Sequence, residues 1–299
     1  MKTIIGIDHG YGFMKTVSKV FLSGITEFEV EPPFQQRTLK FNNKYYVIGD
    51  ERQGYQPNKT ENNNYYLLTL ACIAEELRSR GKRIDDIILA VGLPLEFIGS
   101  QKDEFKKYLT QNKDVNFLYE GERYSVKISN VYVFPQAYSI IAKDISSYTG
   151  SKLVIDIGSW TVDIIPITNK MPKQSSCESL SLGVIICIER IQKEFRRIFN
   201  NEVEDSLLQE LLQGRKKLPE KYLKIAEKVI FDYVKEIIVA LKQKKFNLDV
   251  TPIVYCGGGA TVMRLYGEYE KDMTSFIEDI HANARGYEFL CKGILKQRQ

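Results

Sequence analysis

Residues 155–163 read Ile155-Asp156-Ile157-Gly158-Ser159-Trp160-Thr161-Val162-Asp163. A β-rich apolar run over 152–157 closes on a carboxylate, turns through Gly158-Ser159-Trp160 and returns over 161–167, the pattern of a hairpin. An Asp at a strand end can hold a metal-bound water. Glycines beside it let backbone N–H groups reach the oxygens of a phosphate. Gly158, Ser159, Trp160 and Thr161 are placed to wrap a terminal phosphate, Thr161 adding a hydroxyl. Asp163 can serve the site or only the fold.

The same grammar opens the chain. Residues 3–7 form a strand, Asp8-His9-Gly10-Tyr11-Gly12-Phe13-Met14-Lys15 carries the turn, and 14–21 is the returning strand. Gly10, Tyr11, Gly12 and Phe13 would face phosphate, Asp8 a metal-bound water, and Lys15 the charge of a β-phosphate. Alone, this stretch is equally a glycine turn with a surface Asp and Lys. Two hairpins about 150 residues apart with a shared Asp-then-Gly pattern make a weak internal repeat, the mark of two lobes with related cores. A third stretch, Cys256-Gly257-Gly258-Gly259-Ala260, lies where a strand meets a helix, and that helix start favours an anion or a flat base edge. It, too, can be a plain turn.

Elsewhere, strands are expected at 41–48, 86–93, 123–133 and 251–256. Helices are expected at 65–80, 101–109, 137–147, 183–199, 204–212, 219–244 and 275–292, with a polar loop over 53–64. Strands alternating with helices indicate α/β. The chain has 299 residues, enough for two cores. Its 42 basic and 38 acidic residues leave a net charge of +4, too small and dispersed for direct binding of nucleic acid. The basic clusters at Arg196-Arg197, Arg215-Lys216-Lys217 and 242–245 read as solvated helix faces. Five scattered cysteines without a C-x-x-C pair read as reduced, mostly buried thiols. Two histidines leave no basis for a zinc cluster or a Ser-His-Asp nucleophile. No apolar run is long enough for a signal-peptide core or a membrane span, so the expected location is cytoplasmic.

The order of these stretches resembles the actin, heat-shock-protein-70 and sugar-kinase superfamily. The first hairpin looks like its phosphate 1 motif, Val133-Phe134-Pro135-Gln136-Ala137 like connect 1 and 155–163 like phosphate 2. Residues 254–260 look like the adenosine motif and Ala282-Asn283-Ala284-Arg285-Gly286 like connect 2. Within it, the Gly-Ile-Asp-His-Gly-Tyr-Gly opening, Ser181-Leu182-Gly183 and Asn283-Ala284-Arg285-Gly286-Tyr287 are similar to the plasmid-segregation actins of the ParM/StbA type. Gln136 stands where that branch often has Glu, and Trp160 replaces a small residue.

The resemblance implies an actin-like fold, two ribonuclease H-like lobes around a central nucleotide cleft. Lobe I would comprise 1–149 and 284–299 with a small insert at about 26–82. Lobe II would be 150–283 with a helical subdomain at about 190–248. The implied ligands are ATP, with GTP as an alternative, and Mg²⁺ held through water by Asp8 and Asp156. Gln136 and Asp156 are the implied catalytic residues, and Gly183, Gly257, Gly258, Gly259 and Ala260 would join the phosphate-facing residues in binding nucleotide. The implied function is a Mg-dependent ATPase whose hydrolysis is stimulated by polymerisation. Its partners would be further copies of itself in a filament and a DNA-binding adaptor protein, without a membrane. The alternatives are a small-molecule, sugar-type kinase on the same fold and a non-polymerising scaffold or cell-division protein.

Overall fold

A computed structural model describes residues 2–50, 52–54, 56, 58–148 and 150–297. The chain divides into two compact units, Met1–Ile145 with Ile280–Gln299, and Ser146–Asp279. Residue 149, the expected end of lobe I, lies outside the described residues, and the chain re-enters unit 1 at Ile280 rather than at 284.

Unit 1 begins with β1 (Thr3–His9), β2 (Phe13–Thr16), β3 (Val20–Leu22), β4 (Ile25–Phe28), β5 (Thr38–Phe41) and β6 (Lys44–Ile48). Then come α1 (Asn64–Ser79), β7 (Ile84–Leu93), α2 (Leu95–Leu109), β8 (Asp114–Tyr119), β9 (Glu122–Pro135) and α3 (Tyr138–Ile141). The nine strands form one sheet in the order β3-β2-β1-β7-β9-β8-β5-β6-β4. Side chains alternate between faces along a strand. In β1, Ile5 and Ile7 enter a core shared with α1 and α2, while Ile4 enters a second core with Tyr287 and Cys291 of the C-terminal helix.

Unit 2 holds β10 (Ser151–Ile157), β11 (Val162–Thr168), β12 (Met171–Pro172), β13 (Glu178–Leu180), α4 (Val184–Phe199), α5 (Asp205–Leu212) and α6 (Glu220–Gln243). It ends with β14 (Ile253–Cys256), α7 (Ala260–Tyr266) and β15 (Thr274–Ile277), before α8 (Ala282–Gln297) returns to unit 1. Its sheet runs β12-β11-β10-β14-β15, with β13 on β11. Leu153, Ile155 and Ile157 of β10 share a core with α4, α6 and α7.

Several sequence expectations need correction. The strand expected at 14–21 is broken at Thr16, whose N–H donates to the Lys19 carbonyl in a tight turn. The strand expected at 41–48 is the end of a hairpin. Asn42 and Asn43 take φ of 50° and 60°, the left-handed values of a two-residue turn that Asn tolerates. The helix expected at 137–147 shrinks to Tyr138–Ile141 with a 3₁₀ turn at Ile145–Ser147, and Ala137 stays outside it at φ 59°. The helix expected at 275–292 begins only at Ala282. Thr274–Ile277 is captured as a parallel strand beside β14. The strand β8 was not foreseen. Within the segment 26–82, β4–β6 extend the main sheet of unit 1 and α1 packs into its core.

Candidate functional site

In unit 1 the hairpin register sets Asp8 directly across from Lys15. The side chains meet, Lys15 Nζ lying 3.6 Å from Asp8 Oδ2. Asp8 is buried at 3% exposure. Its other oxygen, Oδ1, accepts a hydrogen bond of 3.0 Å from Gln136 Nε2. Only the NH₂ of an amide can face a carboxylate, so the Gln136 carbonyl oxygen is left to accept from another donor such as water. Gln136 reaches Asp8 because β9 and β1 both flank β7 and the next residue is pinned. The Ala137 N–H donates to Asn283 Oδ1 of α8 at 3.0 Å. Helix α8 approaches closely: a Cβ on Gly286 would lie 2.0 Å from the Ser139 carbonyl oxygen, and one on Gly6 2.2 Å from that of Ala284.

The turn after Asp8 is tight, since a Cβ on Gly10 would stand 2.6 Å from the Phe13 carbonyl oxygen. Tyr11 is buried and its carbonyl accepts from Ser23 Oγ, while the Gly12 carbonyl accepts from the Ser23 N–H at 3.2 Å. Phe13 opens β2 and lies under the Arg52 guanidinium. Beneath the turn, His9 is fully buried. Its Nε2 lies 2.8 Å from Thr69 Oγ1, and because that hydroxyl donates to the Tyr65 carbonyl, the imidazole Nε2–H is the donor between them. Burial, reinforced by the charge of Lys59, holds the His9 pKa well below the ordinary histidine value, so the ring is neutral.

In unit 2 the same register sets Asp156 across from Asp163. Asp163 accepts hydrogen bonds from Thr161 Oγ1 at 3.2 Å and Ser179 Oγ at 2.5 Å, which orients the threonine hydroxyl. Asp156 is buried, and Gly257 stands against it with φ 81°, a left-handed value that favours glycine. A Cβ there would fall 2.1 Å from Asp156 Oδ1. Gly183 is likewise demanded by packing, since its Cβ would meet the Ser159 carbonyl oxygen at 2.3 Å.

Backbone donors sort the expected binding residues. Gly158 N–H donates to the Thr161 carbonyl, Gly183 N–H to Trp160, Gly259 N–H to Ile157 and Ala260 N–H to Gly257. The first turn of α4 donates to the carbonyls of Gly158 and Ser159 through Val184 and Ile185. These groups hold the hairpin, the Gly-Gly-Gly turn and α4 together. Gly258 has open space where a Cβ would be, and its carbonyl accepts from Gln213 Nε2 at 2.6 Å. Asn283 falls within the connect 2 resemblance, whereas Lys59 and Gln213 carry no signal of a site in the sequence. Each lies in a loop or at a helix end far along the chain from its partner, where periodicity carries no signal.

Among the described residues no group of three or more His, Cys, Asp or Glu side chains could hold a metal ion, and no helix is long and apolar enough to cross a membrane.

Two β-sheet units that each place a buried Asp one residue before the end of a seven-residue strand, followed by a glycine turn, define an actin-like fold. Residues 6–138 match the family described as Actin like proteins N terminal domain, and residues 154–266 match Archaeal actin homologue MreB-like, C-terminal. The chain belongs to the actin-like proteins. No curated protein matches it in sequence. Among solved structures, Ta0583, an archaeal actin homolog, superposes with a TM-score of 0.80 at 21% identity, over 97% of this chain and 99% of that one. The same protein in complex with ADP gives a TM-score of 0.75. The apo psk41 ParM protein gives 0.72 at 18% identity over 98% of each chain. The Alp12 filament gives 0.67 at 15% identity, over 98% of this chain and 99% of that one.

Proposed function

We propose that this chain binds ATP with Mg²⁺ and hydrolyses it as it assembles into filaments in the cytoplasm. The filaments would move plasmid DNA through a DNA-binding adaptor protein. The observation that carries the reading is the matched pair of hairpins, each presenting a buried carboxylate one residue before its strand ends, in a chain of the actin-like family. Ta0583 has been solved with ADP and Alp12 as a filament, which supports nucleotide binding and assembly as the shared theme.

Mg²⁺ keeps several waters and leans on substrate phosphates, so the buried carboxylates Asp8 and Asp156 would hold it through water. When bound, the ion would neutralise charge on the phosphates. Phosphoryl transfer to water needs positioning and charge neutralisation more than covalent chemistry. Lys15 brings a positive charge beside Asp8 for the phosphates. The Gln136 carbonyl oxygen orients the attacking water, its NH₂ being anchored on Asp8. Because the Gly158, Gly183, Gly259 and Ala260 N–H groups are engaged within the fold, phosphate would be met at the tip of the second turn, by Ser159, Trp160 and the Thr161 hydroxyl.

The test is phosphate release and pelleting across a protein dilution series at fixed MgATP, repeated with a non-hydrolysable analogue. Both signals are expected to rise above one critical concentration, the analogue giving pellets without phosphate. Flat specific activity without a pellet would overturn filament assembly, and phosphate transfer to an added small-molecule hydroxyl would favour a kinase.

A further inference from the structure

Lys59 is 1% exposed, an unusual state for a lysine, and its ammonium lies directly beneath the first hairpin turn. It donates to the His9 carbonyl oxygen and sits 5.1 Å from the centroid of the Tyr11 ring and 5.8 Å from that of Tyr65. Keeping a charge here is costly even with aromatic faces around it. Beside this cation the imidazole of His9, packed at 5.2 Å against Phe105, stays neutral. A methionine would fill the same volume at lower cost. The charge therefore calls for a reason in what it touches.

Its ammonium holds the carbonyl of the peptide bond joining His9 to Gly10. In a planar trans peptide the C=O and the N–H point in opposite directions. Drawing the His9 carbonyl inward to Lys59 turns the Gly10 N–H outward, on the first glycine of the Asp8 turn. An ammonium on the carbonyl also polarises the peptide, strengthening its N–H as a donor. The tight Gly10 turn, which leaves no room for a Cβ, keeps that orientation from relaxing.

We propose that Lys59 is a positioning residue for the phosphate end of the nucleotide: by holding the His9 carbonyl from below, it presents a polarised Gly10 N–H to a phosphate oxygen. The proposal rests on the nucleotide reading given above and adds to it a residue from the polar loop before α1. Lys59 itself touches no substrate. Its effect should therefore scale with the phosphates on the ligand and not with the base or sugar.

The experiment compares wild type, Lys59→Met and Lys59→Gln in equilibrium binding of ATP, ADP and adenosine, with circular dichroism to establish folding. Lys59→Met is expected to bind ATP and ADP about tenfold more weakly, as for loss of a charge-assisted hydrogen bond, and adenosine as wild type does. Lys59→Gln keeps an N–H for the His9 carbonyl but no charge, and should fall between the two. Should Lys59→Met fail to fold, the Gln variant carries the same comparison, with a several-fold loss for ADP and none for adenosine. Wild-type affinity for ADP in a folded variant overturns the proposal, as does an equal loss for ADP and adenosine, the result expected of a merely structural lysine. A wild-type protein that binds no nucleotide overturns the functional reading itself, and this inference with it.

Discussion

The two hairpins share a seven-residue first strand and the same spacing from the buried Asp to its cross-strand partner, and differ in the residue opposite the buried Asp. In unit 1 Asp8 faces Lys15, and the pair attracts. In unit 2 Asp156 faces Asp163, and like charges directly across an antiparallel pair repel. The second hairpin answers by giving Asp163 two hydroxyl donors, Thr161 and Ser179, and by packing Gly257 on Asp156. One turn is thus fixed by side-chain charge and amide contacts, the other mainly by backbone close approach. A sequence repeat does not imply a repeated way of holding the site.

The largest effect expected from this contrast is on turnover. Asp156→Ala should cut hydrolysis by on the order of 10²–10³-fold, as for loss of a preorganised charge contact, while part of nucleotide binding survives. Phosphate-release kinetics beside equilibrium binding would check it, and wild-type turnover would remove Asp156 from the mechanism.

Next comes the backbone argument. Gly257→Ala should lower folding stability by about 3 kcal/mol, since the new methyl meets a carboxylate and the residue sits at positive φ. Gly258→Ala, one residue on, has open space and should stay within about 0.5 kcal/mol of wild type. Equal urea midpoints for the two variants would break the claim that close approach holds this turn.

Smaller still is the electrostatic cost in unit 2. Asp163→Ala should destabilise by only about 1 kcal/mol, because losing the acceptor of two hydroxyls is partly offset by relief of the repulsion with Asp156. A stabilised variant would mean that the repulsion dominates.

The effect expected in unit 1 is a pH dependence. His9 has a folded pKa below its unfolded value of about 6.5, so acid protonates the unfolded chain first. This contribution to stability is complete above about pH 6.5 and is lost as pH falls toward the folded pKa, by at most about 1.4 kcal/mol per pH unit. Urea unfolding from about pH 7.5 to 5 should show the decline, and His9→Gln, which retains a donor for Thr69, should flatten it.

By itself the sequence determined the two Asp hairpins, the Gly-Gly-Gly turn and the α/β class. Those signals are local: a strand ends, glycines turn the chain, and a partner strand returns within a few residues. Helices α1, α4, α5 and α6 were legible for the same reason, through their apolar periodicity and through Gly81 and Gly183 at their ends. Tertiary structure alone decided that Thr274–Ile277 is a strand, because it pairs with β14 in parallel across an intervening helix. It also placed Gln136 on Asp8 across 128 residues, Asn283 on Ala137 across 146, Gln213 on Gly258 across 45 and Lys59 beneath His9 across 50. A side chain's own neighbours in sequence record its propensity for helix or strand. They carry no record of a partner that only folding brings to about 3 Å, as it brings Gln136 to Asp8.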